Sequence, residues 1–258
     1  MSSDHGGLDQ QALPLDVVGL LEGMCTTRAI RRYRDETVPP EALRAIMFAA
    51  SRAPSGSNRQ LFRFVVLTNG PKAQEAKALI GGAARRIWGN KRSTDGYDRG
   101  SAAIADSPKA RMARTMQEFV DQFESVPVLV LLCLIRHRDP MTEEGASVYP
   151  ACQNLLLAAR ALGYGGVITG WQQAVEAELK RLLAIPNDVF MAATITLGRP
   201  AGGHGPVRRR PLGEFVFEEQ WGSSPPWAVD PPNTAHAAAG PPTRPTAAGS
   251  LVRPDLAR

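Results

Sequence analysis

Between Thr26 and Tyr33 the chain reads Thr-Thr-Arg-Ala-Ile-Arg-Arg-Tyr, which places Arg28, Arg31 and Arg32 within five residues. Guanidinium groups are planar, permanently charged forks whose N–H donors match phosphate oxygens in pairs, so three of them this close can converge on one anion. A solvated basic patch is the other reading of the same residues, because runs of charge usually face water. A second group, Arg208, Arg209 and Arg210, follows the flexible stretch Leu197-Gly-Arg-Pro-Ala-Gly-Gly-His-Gly-Pro, about 180 residues further on. Alone it is a basic loop; brought against the first group it would make a phosphate clamp.

Two other segments carry polar groups beside small residues. Ala53-Pro-Ser-Gly-Ser-Asn-Arg-Gln60 combines Gly56, which lets a ligand approach the backbone, with the hydroxyls and amides of Ser55, Ser57, Asn58 and Gln60, which can address a polar heterocycle. An Asx or Ser turn joining helix to strand explains it equally. Leu162-Gly-Tyr-Gly-Gly-Val-Ile-Thr-Gly-Trp171 invites a nucleotide reading, but Ile168 stands where the dinucleotide fingerprint requires its third glycine, and a helix precedes it instead of a strand. Gly163 reads as a helix cap, which leaves Gly165, Gly166 and Thr169 available to a cofactor. Nothing suggests side-chain nucleophilic catalysis: no G-x-S-x-G or H-E-x-x-H occurs, and His5, His137, His204 and His236 are scattered. No catalytic residue and no metal ligand is therefore assigned.

The elements that must position these segments follow from periodicity. Apolar residues at helical spacing predict helices over 16–24, 41–50, 72–80, 111–124, 148–162 and 176–183. Short β-branched and aromatic runs predict strands at 64–68, 126–135, 192–197 and 214–217. The stretch 81–107, rich in Gly, Arg, Asp and Ser, reads as a surface excursion able to cover a site. Residues 1–14 read as a flexible N-terminus and 15–222 as one domain. Residues 223–258, with eight prolines and eight alanines, read as a disordered or loosely packed tail.

Composition bounds the rest. The chain has 258 residues, 43% hydrophobic and 21% charged, which is an ordinary globular balance and enough length for a core without staples. Three cysteines without C-x-x-C spacing support neither a zinc ribbon nor a disulfide framework. With no signal peptide or apolar span in view, a cytoplasmic location is the expectation. The net charge of +5 fits a phosphate-bearing small ligand, and without a basic stripe or known module no nucleic-acid partner is expected.

Taken together, the four segments resemble the FMN-dependent nitroreductase family from about Met24 to Gly222. The motifs are T-R-A-I-R-R-Y, A-P-S-G-S-N-x-Q, the helix P-A-x-Q-N-L-L-L-A-A-R-A-L-G at 150–163, and G-R-P-A-G-x-x-G-P-x-R-R-R-P. The resemblance implies an α+β fold with a central, mostly antiparallel sheet flanked by helices, and a homodimer with a swapped C-terminal segment. It implies FMN as cofactor, NADPH or NADH as electron donor, and a nitroaromatic, quinone or similar electron-poor acceptor reduced by ping-pong hydride transfer. It assigns Arg28, Ala29, Arg31, Arg32, Arg208 and Arg210 to the flavin phosphate and ribityl chain, and Asn58 and Gln60 to ring and ribityl groups. Ile168, Thr169 and Gly170 would lie at the ring edge, with Pro54, Ser55, Gly56 and Ser57 arriving from the partner subunit. Phe62 and Trp171 are the expected substrate-side residues. Many relatives carry Gln-Pro-Trp where Gln60-Leu61-Phe62 stands and serine in place of Ala29. Alternatives are a flavin-binding relative with oxygen-dependent or dehalogenating chemistry, and a protein that sequesters flavin without turnover.

Overall fold

Val128–Ile135 is an unbroken apolar run, and it becomes β2, a central strand buried at all but its last residue. The computed structural model describes residues 13–236. Around β2 lie β1 (Phe62–Leu67), β3 (Gly165–Thr169) and β4 (Val189–Gly198), in the order β1-β2-β4-β3 with every pairing antiparallel. The helices are α1 (Leu20–Thr26), α2 (Pro40–Ser51), α3 (Pro71–Thr94), α4 (Pro108–Asp121), α5 (Tyr149–Ala161) and α6 (Glu176–Leu183). Among the described residues no helix is long and apolar enough to cross a membrane.

Period-two alternation sends Val128, Val130 and Leu132 to one face of the sheet and Leu129, Leu131 and Cys133 to the other. On the first face α2 contributes Ala42, Ile46 and Ala50, and α5 contributes Ala151, Cys152, Leu155 and Ala159. These spacings place one stripe of each helix inward, and the alanines allow close approach. On the second face α3, α4 and α6 contribute Ala76, Ile80, Phe119 and Leu179. Pairing passes from Leu132↔Ala193 to Cys133↔Met191, so Ala192 is an extra residue. Both Ala192 and Ala193 then face the first cluster, and the parity of β4 reverses beyond them. Burial pushes the thiols up, Cys133 to about 11 and Cys152 to about 12. Both are core residues held as thiols.

Three expectations are corrected. The helix expected to stop at 80 runs to Thr94, because Ile80, Ala83, Ala84 and Trp88 continue its buried stripe. Gly81 does not break it: a side chain there would meet the Glu124 carboxylate at 2.6 Å, so the glycine serves a close approach. The Gly165-Gly166 pair, where periodicity predicted no strand, opens β3. A Cβ on Gly166 would collide with the Thr196 carbonyl, and only glycine lets the two backbones come together there. The strand expected at 214–217 is instead a single 3-10 turn, Leu212–Glu214. The Asp230 carboxylate accepts the Leu212 N–H at 2.9 Å and fixes that turn.

The chain divides into two compact units, one ending at Gly205 and one beginning at Pro206. In the second unit Ala228 is buried. Residues 1–12 and 237–258, which hold most of the expected flexible N-terminus and the end of the expected tail, lie outside the described residues.

Gly166→Ala is expected to lower unfolding free energy by about 1–3 kcal/mol, the usual range for overpacking against atoms that cannot yield. Gly202→Ala, where a Cβ meets nothing within 4 Å, should change it by less than about 0.5 kcal/mol. Urea midpoints of the two variants measure the difference.

Candidate functional site

The arginine segment is strapped to the β3 edge of the sheet. The Ile30 N–H donates to the Gly166 carbonyl at 3.0 Å. The buried Ile30 side chain fills the space over Gly165, where a Cβ would stand 2.5 Å from Ile30 Cγ1. Tyr33 places its hydroxyl 2.7 Å from the Ile30 carbonyl oxygen and 2.7 Å from Thr196 Oγ1. Burial raises the pKa of this phenol, with the Thr196 hydrogen bond and Arg31 opposing, so it acts as a neutral hydrogen-bonding group. From the other side the Ala201 N–H donates to the Arg32 carbonyl at 3.0 Å and the Arg34 N–H to the Arg199 carbonyl at 2.9 Å. Three of the four informative segments thus meet at this corner.

Held this way, Arg28 and Ala29 are exposed and Arg31 is half-buried. Among the described residues neither Arg28 nor Arg31 has an ion pair or side-chain hydrogen bond. Burial lowers the pKa of Arg31, against a smaller opposing effect of Tyr33. A guanidinium keeps its proton even so, and a partly desolvated cation without an anion is a costly arrangement that an anionic ligand relieves. Arg28 Nη1 reaches to 3.7 Å from the position of a Cβ on Gly205. Beside it His204 Nε2 lies 3.1 Å from the Tyr164 carbonyl oxygen, and its Nδ1 is buried without a hydrogen bond among the described residues. Burial pushes the His204 pKa down, opposed chiefly by the Tyr164 carbonyl, while Arg160 and Arg28 add to the fall. Arg32 departs from expectation: it reaches α4, where its Nε is 2.8 Å from the Glu118 carboxylate and its Nη2 donates to Thr115 at 2.9 Å.

Further along β3, Ile168 is exposed, and Thr169 Oγ1 is buried without a partner among the described residues. Buried hydroxyls are normally satisfied, so an orphaned one marks a place where a ligand or water completes the structure. Gly170 precedes the 3-10 turn Trp171–Val175. Trp171, expected on the substrate side, is half-buried and packs 5.6 Å from the Phe119 ring and 5.7 Å from the Phe123 ring. Gln172 behind it is buried and links the Thr194 hydroxyl to the Met191 carbonyl.

The Ser55–Gln60 loop occupies the diagonally opposite corner, between α2 and β1. Ser57, Asn58 and Gln60 all adopt left-handed backbone, with φ of 53°, 51° and 52°. Such conformations in three non-glycine residues persist only when the surroundings enforce them, and they cluster at functional sites. Here the Ser55 carbonyl accepts the Asn58 N–H at 2.9 Å and Ser55 Oγ accepts the Gln60 N–H at 2.9 Å. From α5's leading turn, Ser147 Oγ accepts the Gly56 N–H at 3.1 Å. Pro54, Gly56, Ser57, Asn58 and Gln60 are exposed and Ser55 is half-buried. Phe62, expected on the substrate side, is only 6% exposed and belongs to the α2–α5 core, because the inward parity of β1 falls on it.

Within the first unit these two corners are far apart. β2 and β4 stand between β1 and β3, a lateral separation of roughly 14 Å. Gly166 is level with Val128 while Phe62 is level with Leu134, which adds roughly 20 Å along the strands. The Ser55–Gln60 loop and the Arg28–Arg31 segment therefore cannot enclose one small ligand within one copy of this unit.

Next to the loop is a cleft of about 130 Å³ lined by Ser55, Ser57, Arg59, Arg136, His137, Arg138, Glu144 and Ser147, among others. Sequence reasoning passed over the cationic run that ends β2, since Arg-His-Arg-Asp-Pro after an apolar strand reads as an ordinary polar turn. In the second unit Arg208 is exposed, with its carbonyl accepting from Arg209 Nη1 at 2.9 Å. Arg210 pairs with Glu214 at 3.1 Å and lies 5.1 Å over the Phe215 ring.

Comparison with known proteins agrees with this architecture. The model of the nitroreductase family matches residues 26–199. A Methanothermobacter thermautotrophicus protein provisionally named an NADH dehydrogenase/NAD(P)H nitroreductase is 26% identical over 204 residues, covering 77% of this chain and 84% of its own. The FMN reductase [NAD(P)H] of Bacillus subtilis is 25% identical over 207 residues, covering 78% and 74%. Among solved structures, a provisionally named nitroreductase from Desulfovibrio desulfuricans in complex with FMN superposes with a TM-score of 0.54 at 28% identity, covering 78% of this chain and 97% of that one.

Tyr33→Phe is expected to cost about 1–3 kcal/mol of unfolding free energy, because it strands the buried Thr196 hydroxyl and weakens the strap at Ile30. Urea unfolding of the variant beside the parent chain measures it.

Proposed function

The chain belongs to the nitroreductase family, and on that premise we propose that it is an FMN-dependent NAD(P)H oxidoreductase that acts as a homodimer on nitroaromatic, quinone or similar electron-poor acceptors. The observation that carries this reading is the unpaired, half-buried Arg31 beside exposed Arg28, strapped against β3 and far from the strained Ser55–Gln60 loop. A cationic corner and a strained polar loop complement each other only if two copies bring them together, and twofold symmetry then makes two equal sites. Leu20, Leu21, Met24 and Phe48 are exposed on α1 and α2, an apolar surface suited to such an interface.

The residues fit FMN. Arg28 and Arg31 supply charge-assisted donors to its phosphate, and Ala29, lacking a hydroxyl, contributes only its N–H. Arg208 and Arg210 are assigned to the same phosphate on their motif. Thr169, with its orphaned hydroxyl, and the neighbouring Ile168 and Gly170 provide one polar and two apolar contacts for the ring edge. From the other copy, Pro54, Ser55, Gly56 and Ser57 close the pocket, with Asn58 and Gln60 addressing polar ring and ribityl groups. When bound, FMN would supply the two-electron chemistry that links a nicotinamide donor to an acceptor. The chain's task is to hold the phosphate, fix the ring against β3 and exclude water with the loop. Arg32 is left out of the set because Glu118 and Thr115 already hold it. The FMN named in its Bacillus subtilis and Desulfovibrio desulfuricans relatives supports this cofactor.

Purified protein is expected to be yellow and to bleach under anaerobic conditions on addition of NADPH or NADH. Colourless protein that fails to take up added FMN contradicts the reading; yellow protein that neither coenzyme bleaches replaces it with sequestration. Arg28→Ala and Arg31→Ala should each weaken FMN binding roughly 10- to 100-fold, as expected for loss of a charge-assisted contact. Arg32→Ala should leave it within about twofold, since it removes only an exposed ion pair to Glu118 and an exposed hydrogen bond to Thr115.

A further inference from the structure

The cleft beside the Ser55–Gln60 loop has the chemistry of an anion site whose arginines are not among those assigned to the flavin. It sets three guanidinium groups, Arg59, Arg136 and Arg138, against a single carboxylate, Glu144. That carboxylate is already committed: it takes Arg136 Nε at 2.9 Å and Arg136 Nη2 at 2.9 Å. The pair is held over the Phe190 ring, with the guanidinium carbon 4.4 Å from its centroid. Among the described residues Arg59 and Arg138 form no ion pair, and Arg138 acts on the Glu144 carboxylate only as the smallest of the influences that lower its pKa, behind Arg136. Ser55 Oγ and Ser147 Oγ each accept a backbone N–H, from Gln60 and Gly56, which leaves both hydroxyl protons free to be donated. His137 adds a ring that can donate from nitrogen.

Two charged forks, two hydroxyl donors and a fixed ion pair form a receptor for a compact dianion. The volume of about 130 Å³ admits a phosphoryl group. It is below the roughly 300 Å³ at which pockets for whole small molecules begin.

We propose that this cleft binds a phosphate monoester and that in the working protein the ligand is the 2′-phosphate of NADPH, which makes NADPH the preferred electron donor. The inference rests on the oxidoreductase reading above. The cleft shares Ser55 and Ser57 with the loop assigned to the flavin ring. A dinucleotide whose nicotinamide lies on that ring would carry its adenosine end along the same loop. NADH has no monoester, so only NADPH can satisfy these donors. A phosphate monoester also carries about −1.5 to −2 charge near neutral pH, which suits the two unpaired arginines.

The test uses the FMN-loaded full chain. KM for NADPH is expected to be at least about tenfold below KM for NADH, and Arg138→Ala and Arg59→Ala should each raise the NADPH value roughly tenfold. The NADH value, kcat with NADH and FMN content should stay unchanged within about twofold, and Arg138→Lys should recover part of the loss. Equal shifts for both coenzymes, or loss of FMN, overturn the proposal; loss of FMN would assign the cleft to the flavin phosphate of a second copy. Calorimetry provides an arm that does not require turnover. Adenosine 2′,5′-bisphosphate should bind the parent protein at least about tenfold more tightly than 5′-AMP and lose that advantage in Arg138→Ala. Equal binding, or no binding of either, refutes the site whether or not the protein is a reductase.

Discussion

A sheet ordered β1-β2-β4-β3 keeps its two chemical corners apart, and that separation shapes every other feature of the site. Arg28 and Arg31 are held at the β3 edge by the Ile30–Gly166 hydrogen bond and by the Tyr33 hydroxyl between Ile30 and Thr196. The strained Ser55–Gln60 loop is held at the β1 edge by Ser147 and by its own Ser55. Each corner is stabilised locally and neither is chemically complete. Leaving a half-buried cation without an anion, and backbone strain without an internal purpose, costs free energy that a bound ligand and a second copy can offset.

Glycine at 165 and 166 makes the cationic corner possible. Ile30 sits where a Cβ on Gly165 would stand, and the Thr196 carbonyl sits where one on Gly166 would stand. The phosphate-binding character of the Arg28–Arg31 segment is therefore encoded partly in residues that carry no functional group. Tyr33 and Thr196 have a similar supporting part, since they fix which way the backbone turns before the arginines leave it.

Much of this was legible in the sequence. The β2 run, the apolar face of α5 and the bounds of α6 followed from periodicity, because burial on one side leaves a regular trace. The nitroreductase-like α+β fold followed from motif order. The misreadings have physical causes. Gly81 and Gly82 hid the continuation of α3, and the Gly165-Gly166 pair hid a strand, since glycine placed for close approach looks the same in sequence as glycine placed to break an element. Adjacent arginines could not be told apart: only the fold shows that Arg31 is left unpaired while Arg32 turns to Glu118. Phe62 and Trp171 were assigned to substrate by chemical type; strand parity turns Phe62 into the core, and Trp171, partly buried, packs on the Phe119–Phe123 cluster. The Arg136–Arg138 run became meaningful only when Arg59 and Ser147, distant in sequence, were seen to share its cleft.

The central claim is that each flavin site draws its cationic corner from one copy and its loop from another. The most direct measurement is FMN uptake by mixed dimers. Chains carrying Arg31→Glu are refolded together with chains carrying Ser57→Glu, each of which alone spoils both sites of its own dimer. The account predicts that the mixture recovers FMN binding, because every mixed dimer then holds one site built from two unaltered halves. A mixture that binds no more FMN than the two parents separately would show that both halves must come from the same chain, and would contradict it.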